Sequence, residues 1–184
     1  MTGLSLCVNG GCTFTTDRGY ASTAINQNIT NNLNLSTAGN FKQNSGHFMV
    51  WQNVLGSGSA KAILQADLNN NNGLWPYNSG SILGNVNASS GFFGFARTDA
   101  TGMITVSRTG STQTDIYINN GASSASGAVA SQAPSSSVVN LLSSSAEFFS
   151  GRIAAATVGA GLTAGQVASL FSRVNTYLAA IGGQ

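Results

Sequence analysis

Residues 148–159 read FFSGRIAAATVG, and after two more residues the chain enters an amphipathic segment, Leu162–Ile181. The first stretch predicts a β-strand over Gly151–Val158, bounded by residues that form turns. The second has apolar residues at helical spacing, whereas the other apolar segments of the chain are short and typical of strands. A strand followed at once by one helix therefore predicts an all-β domain capped by a single helix.

The helix carries its own start and stop signals. Thr163 can act as N-cap with Gln166 three residues later, the spacing of a capping box, and Gly182 follows the last apolar position. We expect the helix to seal one end or face of the domain, and the alternative is a helix that binds a partner. Its predicted buried stripe comprises Val167, Leu170, Phe171, Val174, Leu178 and Ile181.

Short strand candidates separated by Gly, Asn, Ser or Pro fill the rest of the chain. The helical crossovers that parallel strands need are missing, so the pattern predicts an antiparallel β-sandwich. Residues 122–137 are almost all Ala, Ser and Gly, and predict a long loop or a weak strand. The strand candidates are Leu4–Val8, Cys12–Thr16, Ile25–Ile29, His47–Val54, Ala60–Ala66, Ser81–Val86, Gly91–Arg97, Gly102–Arg108, Asp115–Ile118, Ser137–Ser143 and Gly151–Val158.

One strand is apolar on both faces. Alternation places His47, Met49 and Trp51 on one side of it, and Phe48 and Val50 on the other. We expect both sides to be covered, the outer one by loops or by a neighbouring subunit. His47, the single His of the chain, is then expected to be a packed, hydrogen-bonded core residue.

Length and charge limit the classes of function. We expect one domain over residues 1–184, with a hairpin in residues 1–13 and the helix in residues 163–181. Only 7% of residues are charged, and the seven basic and five acidic side chains are scattered singly. The sequence has no basic run for nucleic acid and no apolar stretch near the roughly 18 residues of a membrane span. Neither nucleic acid nor membrane insertion is predicted.

Three segments resemble one known family. FTTDRGYASTAINQNITNNLNLSTAGNFKQNSGHFMVW (residues 14–51) looks like its opening strands, IYINNG (residues 116–121) like a strand and turn, and residues 148–181 like its last strand and helix. The family is the concanavalin A-like, laminin-G-like jelly-roll domains of phage and prophage structural proteins. The resemblance covers nearly the whole chain from about Phe14, before which family members carry further strand sequence. This chain is therefore either one domain of a longer polypeptide or a short relative.

The resemblance also implies a location and partners. It places the chain in a virion that is assembled in bacterial cytoplasm and acts outside the cell, among other virion proteins. Low charge and the small residues of positions 122–137 favour close packing between copies. We therefore expect a homo-oligomer, three-fold in a fibre or spike.

Cys7 and Cys12 flank Asn9-Gly10, a strong two-residue turn signal. In such a hairpin the two cysteines face each other at a non-hydrogen-bonded position, where the distance suits a disulfide. The alternative is a pair of reduced thiols in a protein made in the cytoplasm. The residues leave both open, and one Cys pair with a single His does not make a structural zinc site.

Carboxylates are sparse. Glu147 is the only Glu, and no two carboxylates lie within ten residues of each other, whereas a glycoside hydrolase needs two of them in one cleft. We therefore predict no catalytic residue and no cofactor, with a glycoside hydrolase-like enzyme as an alternative. No metal is predicted either, and the alternative is calcium held by loop oxygens, of Asp67 with Asn69–Asn72 or of Asp99 with Asn119 and Asn120.

A sugar site needs an aromatic face for the pyranose ring and side-chain amides or charged groups for the hydroxyls. The segment around the Asn-rich loop has both, so we predict ligand binding by Trp75, Tyr77, Asn78, Asn71 and Asn72. The alternative is that Trp75 anchors the loop by plugging the sandwich edge.

The resemblance therefore implies a virion structural domain, in a tail fibre, spike or capsid decoration, and together with the residues above we expect it to be non-enzymatic, with lectin-like binding of host-surface glycans. A purely structural domain that packs subunits together is the first alternative. The hydrolase is the second.

Overall fold

In the computed structural model, the chain is described at residues 12–22, 27–57, 62–66, 71–78, 80–97, 101–143 and 148–183. These residues form two antiparallel sheets and one helix, which confirms the predicted β-sandwich with a C-terminal helix. The elements are β1 (Thr13–Thr15), β2 (Gly19–Ser22), β3 (Ile29–Asn34), β4 (Gly46–Ser57), β5 (Leu64–Gln65), β6 (Gly73–Asn78), β7 (Ser81–Asn85), β8 (Phe93–Ala96), β9 (Gly102–Arg108), β10 (Gln113–Ile118), β11 (Ala122–Ala128), β12 (Val138–Leu141), β13 (Ser150–Gly159) and α1 (Ala164–Ala180).

The described strands divide into a seven-stranded sheet, β1-β2-β13-β4-β9-β10-β11, and a six-stranded sheet, β3-β12-β5-β6-β7-β8. Within each sheet, every described pair of neighbouring strands is antiparallel. Strand β13, which directly precedes the helix in the sequence, lies between β2 and β4. Its residue Gly159 pairs with His47 of β4. Strand β13 therefore joins the middle of the larger sheet to the helix.

Sequence patterns find most strands but not all. β9 coincides with the candidate Gly102–Arg108, whereas the candidate Ile25–Ile29 is displaced because β3 begins where that candidate ends. The patterns miss β2 and β6, and they read β11 as a long loop or weak strand. These strands are short, interrupted by Pro76, or built of small residues, so their propensity for β-structure is low and their pairing comes from the sheet.

The inner faces of both sheets enclose the main core. Phe48 and Val50 of β4 belong to it, as the alternation along that strand predicts. Packing between the two layers buries the whole inner surface. Fully buried members of this core include Leu35, Phe48, Ile63, Leu64, Leu74, Ile82, Val86, Val106, Ile116, Val139 and Leu142.

Helix α1 covers the outer face of the seven-stranded sheet. Met49 and Trp51 of β4 form a second core there with Met103 and Tyr117, and all six residues of the predicted helix stripe pack in it. The expectation that loops or another subunit cover this face is therefore wrong, since the chain's own helix covers it.

The start of the helix is fixed by side chains. Thr163 N–H donates to Gln166 Oε1 (2.8 Å) and Gln166 N–H donates to Thr163 Oγ1 (3.4 Å), which confirms the capping box. Just before it, Leu162 N–H donates to Ser107 Oγ of β9 (2.7 Å) and the Ser107 hydroxyl donates back to Leu162 O (2.8 Å). Among the described residues, no helix has the length and hydrophobicity needed to cross a membrane.

His47 is buried, with 7% of its surface exposed. Its Nδ1–H donates to Ala160 O (2.6 Å), which leaves Nε2 to accept from the Thr157 hydroxyl (2.9 Å). Burial lowers the pKa of His47 below its ordinary value, although the hydrogen bond to Ala160 opposes that effect. The prediction of a packed, hydrogen-bonded His is confirmed.

Arg108 at the end of β9 is fully buried. Its Nε donates to Val86 O (2.6 Å) and its Nη1 donates to Val129 O (2.9 Å) and Gly110 O (3.2 Å). The guanidinium therefore ties the end of β7 to the residue after β11, and closes this side of the sandwich through backbone carbonyls.

The predicted hairpin in residues 1–13 falls mostly outside the described residues, as do the strand Leu4–Val8 and Cys7. Cys12 is described, and its Sγ donates to Asn28 O (3.6 Å). The disulfide between Cys7 and Cys12 stays a prediction.

Candidate functional site

The predicted glycan platform, Trp75, lies on β6 and is 4% exposed. The edge of one ring meets the face of the other where Trp75 packs on Phe92, with ring centroids 4.6 Å apart and an interplanar angle of 79°. A Cβ at Gly73 would lie 2.5 Å from the Trp75 ring, so the indole fills space that only glycine leaves open. This burial favours the alternative in which Trp75 anchors the structure.

The asparagines beside it are also used internally. Asn72 is fully buried, and its Oδ1 accepts from Asn87 N–H (2.7 Å). Asn71 O accepts from Ala88 N–H (2.9 Å). The side chains of Tyr77 and Asn78 lie outside the described residues, although both positions belong to β6. Glycan contact by these five residues stays a prediction.

Among the described aromatic side chains of this region, Phe92 is the one that reaches the surface. The sequence places it most simply in the core, yet its side chain is 39% exposed. That interpretation is wrong because Phe92 lies just before β8 and covers Trp75 from outside.

A second aromatic pair lies on the helix side of the molecule. Trp51 of β4, 5% exposed, stacks on Phe171 of α1 with ring centroids 5.5 Å apart and an angle of 14°. Beside this pair an open cleft of about 410 Å³ lies between the helix, the middle of β4 and the adjoining ends of β9 and β10. We call it the amide cleft, and its described lining is Trp51, Gln52, Asn53, Thr101, Gly102, Asn119, Phe171 and Asn175.

One amide of the cleft, that of Asn53, has unused hydrogen-bonding capacity. Asn53 Nδ2 donates to Arg18 O (3.0 Å) and Gly183 O (3.3 Å), so the side chain is held in place. Its buried Oδ1 has no partner in the described part of the chain. Gln52 is fully buried, and the alternation along β4 places its side chain on the core side of the sheet with Phe48 and Val50, so its amide is not offered to the cleft. Buried polar atoms without partners are uncommon and costly in folded proteins. A ligand that donates a hydrogen bond to Asn53 Oδ1 would remove that cost.

Beside β4, the floor of the cleft is built on a tight approach of two residues, Gly102 and Asn119. Asn119 has a left-handed backbone (φ 53°), which Asn tolerates, and its Oδ1 accepts from Met103 N–H (2.9 Å). A Cβ at Gly102, whose φ is +92°, would lie 2.3 Å from that oxygen. Glycine at this position therefore allows the Asn119 amide to lie at the cleft.

The residues predicted as alternative calcium ligands, and Glu147, are described only in part. Asp67, Asn69, Asn70, Asp99 and Glu147 lie outside the described residues. Asn119 and Asn120 are described, and the Asn119 oxygen is already engaged by Met103. No group of three or more His, Cys, Asp or Glu within the described ranges could hold a metal ion. Calcium through the loop oxygens therefore stays an untested alternative.

The two carboxylates of the described residues lie far apart. Asp115 is on β10, where Gln113 Nε2 donates to it (2.8 Å), and Asp17 is in the turn before β2. Four interstrand spacings separate β2 from β10 in the sheet order, or about 19 Å at about 4.8 Å each. A glycosidase pair needs about 5–10 Å, so these two do not form one.

The fold of the chain is similar to that of several solved structures. No family model and no curated protein matches the chain. Among solved structures it is similar to the binding domain of Paraclostridial Mosquitocidal Protein 1 (TM-score 0.63, 13% identity), over 93% of this chain and 48% of that one. It is also similar to the binding domain of Botulinum neurotoxin DC in complex with rat synaptotagmin II (TM-score 0.58, 16% identity), over 84% and 42%.

The same neurotoxin domain in complex with SialylT matches equally well, with a TM-score of 0.58 and 15% identity over 84% of this chain and 41% of that one. The chain thus spans about half the length of the structures it resembles, or less. At these identities the similarity establishes a shared β-sandwich fold.

Proposed function

We propose that this chain is a non-enzymatic glycan-binding domain and that the amide cleft is its binding site. One observation carries the proposal: an aromatic pair and the side-chain amides of three asparagines, Asn53, Asn119 and Asn175, meet in a concave site of about 410 Å³. Ligand sites in proteins are concave, largely apolar, and carry a few polar groups that fix orientation. Sugars match this combination because they have apolar C–H faces as well as hydroxyls.

Phe171 is the predicted contact for the sugar ring. One of its faces stacks on Trp51, and it also lines the cleft, so part of the ring is available to a ligand. Asn53 and Asn175 lie beside it to hydrogen-bond hydroxyls. Similar solved structures bear on this only through their fold: they are described as binding domains, and one is a complex with SialylT.

The first test is a screen on a glycan array, followed by calorimetry with the best binder. We expect Phe171→Leu, which keeps apolar volume but removes the aromatic face, to weaken binding at least about tenfold, or about 1.4 kcal/mol. Asn175→Ala should weaken it less. Phe92→Leu and Tyr177→Phe are matched controls, since both rings are exposed away from the cleft lining, and they should retain affinity within about twofold.

Two results would contradict the proposal. One is an array without binding at high micromolar protein, which would favour the purely structural, subunit-packing alternative. The other is binding that survives both cleft variants but is lost in Phe92→Leu, which would move the site to the Trp75 region.

We further propose that the domain belongs to a phage or prophage particle, as part of a tail fibre, spike or capsid decoration. This rests on the resemblance of residues 14–51, 116–121 and 148–181 to such proteins. Its partners would be other virion proteins and a host-surface glycan, and its assembly a homotrimer. Mass spectrometry of particles purified from the source organism tests the location. Sedimentation velocity at high micromolar concentration tests the trimer. If only monomer is found, the isolated domain does not form a trimer and this part of the proposal is wrong.

A further inference from the structure

The amide cleft has a uniform electrostatic character. Its described lining consists of aromatic, amide, hydroxyl and glycine residues, without a charged side chain. Arg18 approaches it only through its backbone carbonyl, which accepts from Asn53 Nδ2 (3.0 Å). A charged group that entered the cleft would lose part of its hydration without gaining a counter-ion from these residues, which is unfavourable.

The unpartnered oxygen of Asn53 favours the same class of ligand. Asn53 lines the cleft, and its Oδ1 is a hydrogen-bond acceptor without a partner among the described residues. A sugar hydroxyl can donate a hydrogen bond, so it can satisfy this acceptor. A carboxylate or sulfate ester only accepts, and would meet the oxygen of Asn53 as a second acceptor. Unpaired or repelled polar groups are a recognised means of rejecting the wrong ligand.

Resting on the proposed function, we propose that the amide cleft selects an uncharged saccharide and rejects sialylated and sulfated ones. The cleft volume of about 410 Å³ lies near the lower end of the roughly 300–1,000 Å³ usual for ligand sites. It therefore suits one or two sugar units at the end of a glycan rather than a long chain segment.

The test is a paired array, on which each neutral oligosaccharide is printed beside counterparts that carry one sialic acid or one sulfate on the terminal sugar. We expect neutral members to bind at least about tenfold more tightly than their charged counterparts. Asn175→Lys, which adds a cation to the lining, should narrow that ratio. Tyr177→Lys is the matched control, because it adds the same charge to the same helix at a position 64% exposed and outside the cleft lining.

The outcomes separate this inference from the function on which it rests. Binding of charged members equal to or tighter than neutral ones overturns the selectivity, while sensitivity to Phe171→Leu would leave the glycan-binding function standing. An array with no binding to any member overturns both. If Tyr177→Lys lowers the ratio of neutral to charged affinity as much as Asn175→Lys does, the cleft lining is not what rejects charge.

Discussion

The two tryptophans of the chain have nearly the same burial but different surroundings. Trp51 and Trp75 are 5% and 4% exposed, and each packs against one phenylalanine. At Trp75 the adjacent amide of Asn72 is engaged by Asn87 N–H. At Trp51 the adjacent Asn53 has an oxygen without a described partner. Aromatic residues beside asparagines are thus not enough to define a sugar site, since the amides must also have capacity left for a ligand.

Removal of helix α1 should have the largest effect on stability and solubility, and it acts on the Trp51 side of the molecule. A chain that ends before Thr163 would uncover Met49, Trp51, Met103 and Tyr117, which are buried on the outer sheet face. An exposed apolar patch of this kind leads to aggregation, so we expect an insoluble or unfolded product, measured by soluble yield and circular dichroism. A soluble truncation with an unchanged thermal midpoint would instead make the helix an appendage.

Trp75→Ala should have the next largest effect. It removes a buried indole and leaves a cavity, which lowers the free energy of unfolding by about 3–5 kcal/mol. Chemical denaturation measures this, and calorimetry at a temperature where the variant is folded should show unchanged glycan affinity. Phe92→Ala is the control, with a loss nearer about 1 kcal/mol because the ring is 39% exposed. Lost binding with full stability would restore Trp75 as the ligand platform.

The two regions also differ in how far the sequence predicts them. The capping box of Thr163 and the helix stripe are local patterns, and both are found in the structure. The role of Trp75 cannot be read locally, because its burial depends on Phe92 and on the space left by Gly73. Periodicity describes one element at a time, whereas these contacts join different segments.

The amide cleft is missed for the same reason. Its lining comes from β4, from the ends of β9 and β10, and from α1, so residues far apart in sequence meet there. The one sequence signal that could have found it is the alternation of β4. That pattern marks Trp51 as apolar on the outer face and leaves Asn53 two positions further on the same side. A polar residue after an apolar outer face indicates where the covering helix stops sealing the sheet.

Gly102→Ala should have a moderate effect, confined to the cleft. The added Cβ would lie 2.3 Å from Asn119 Oδ1 at a backbone φ of +92°, and strain of this kind costs about 1–3 kcal/mol. We expect that loss in denaturation together with weaker glycan binding, because Asn119 must move. Gly110→Ala is the matched control, since its Cβ would meet nothing within 4 Å. Equal effects of the two substitutions would refute the steric argument.

The smallest effect on stability should come from acidification, and it should act only on the side of the molecule that the helix covers. His47 bonds Ala160, which lies between β13 and α1, and burial lowers its pKa below the ordinary value of 6.5. Between the lowered pKa and 6.5 the unfolded chain binds more protons than the folded one. Stability from this group is therefore fully present above about pH 6.5 and is lost as the pH falls through that window.

His47→Gln tests this because the amide can bond the same partners without titrating. The wild type should lose free energy of unfolding as the pH falls below about 6.5, and the Gln variant should show a flatter profile over that range. NMR of the two indole N–H groups adds the spatial comparison: the Trp51 signal, under the helix, should shift or broaden on acidification before that of Trp75. Identical pH profiles for the two proteins would show that other groups control acid stability, and simultaneous changes at both indoles would show that the helix layer does not loosen by itself.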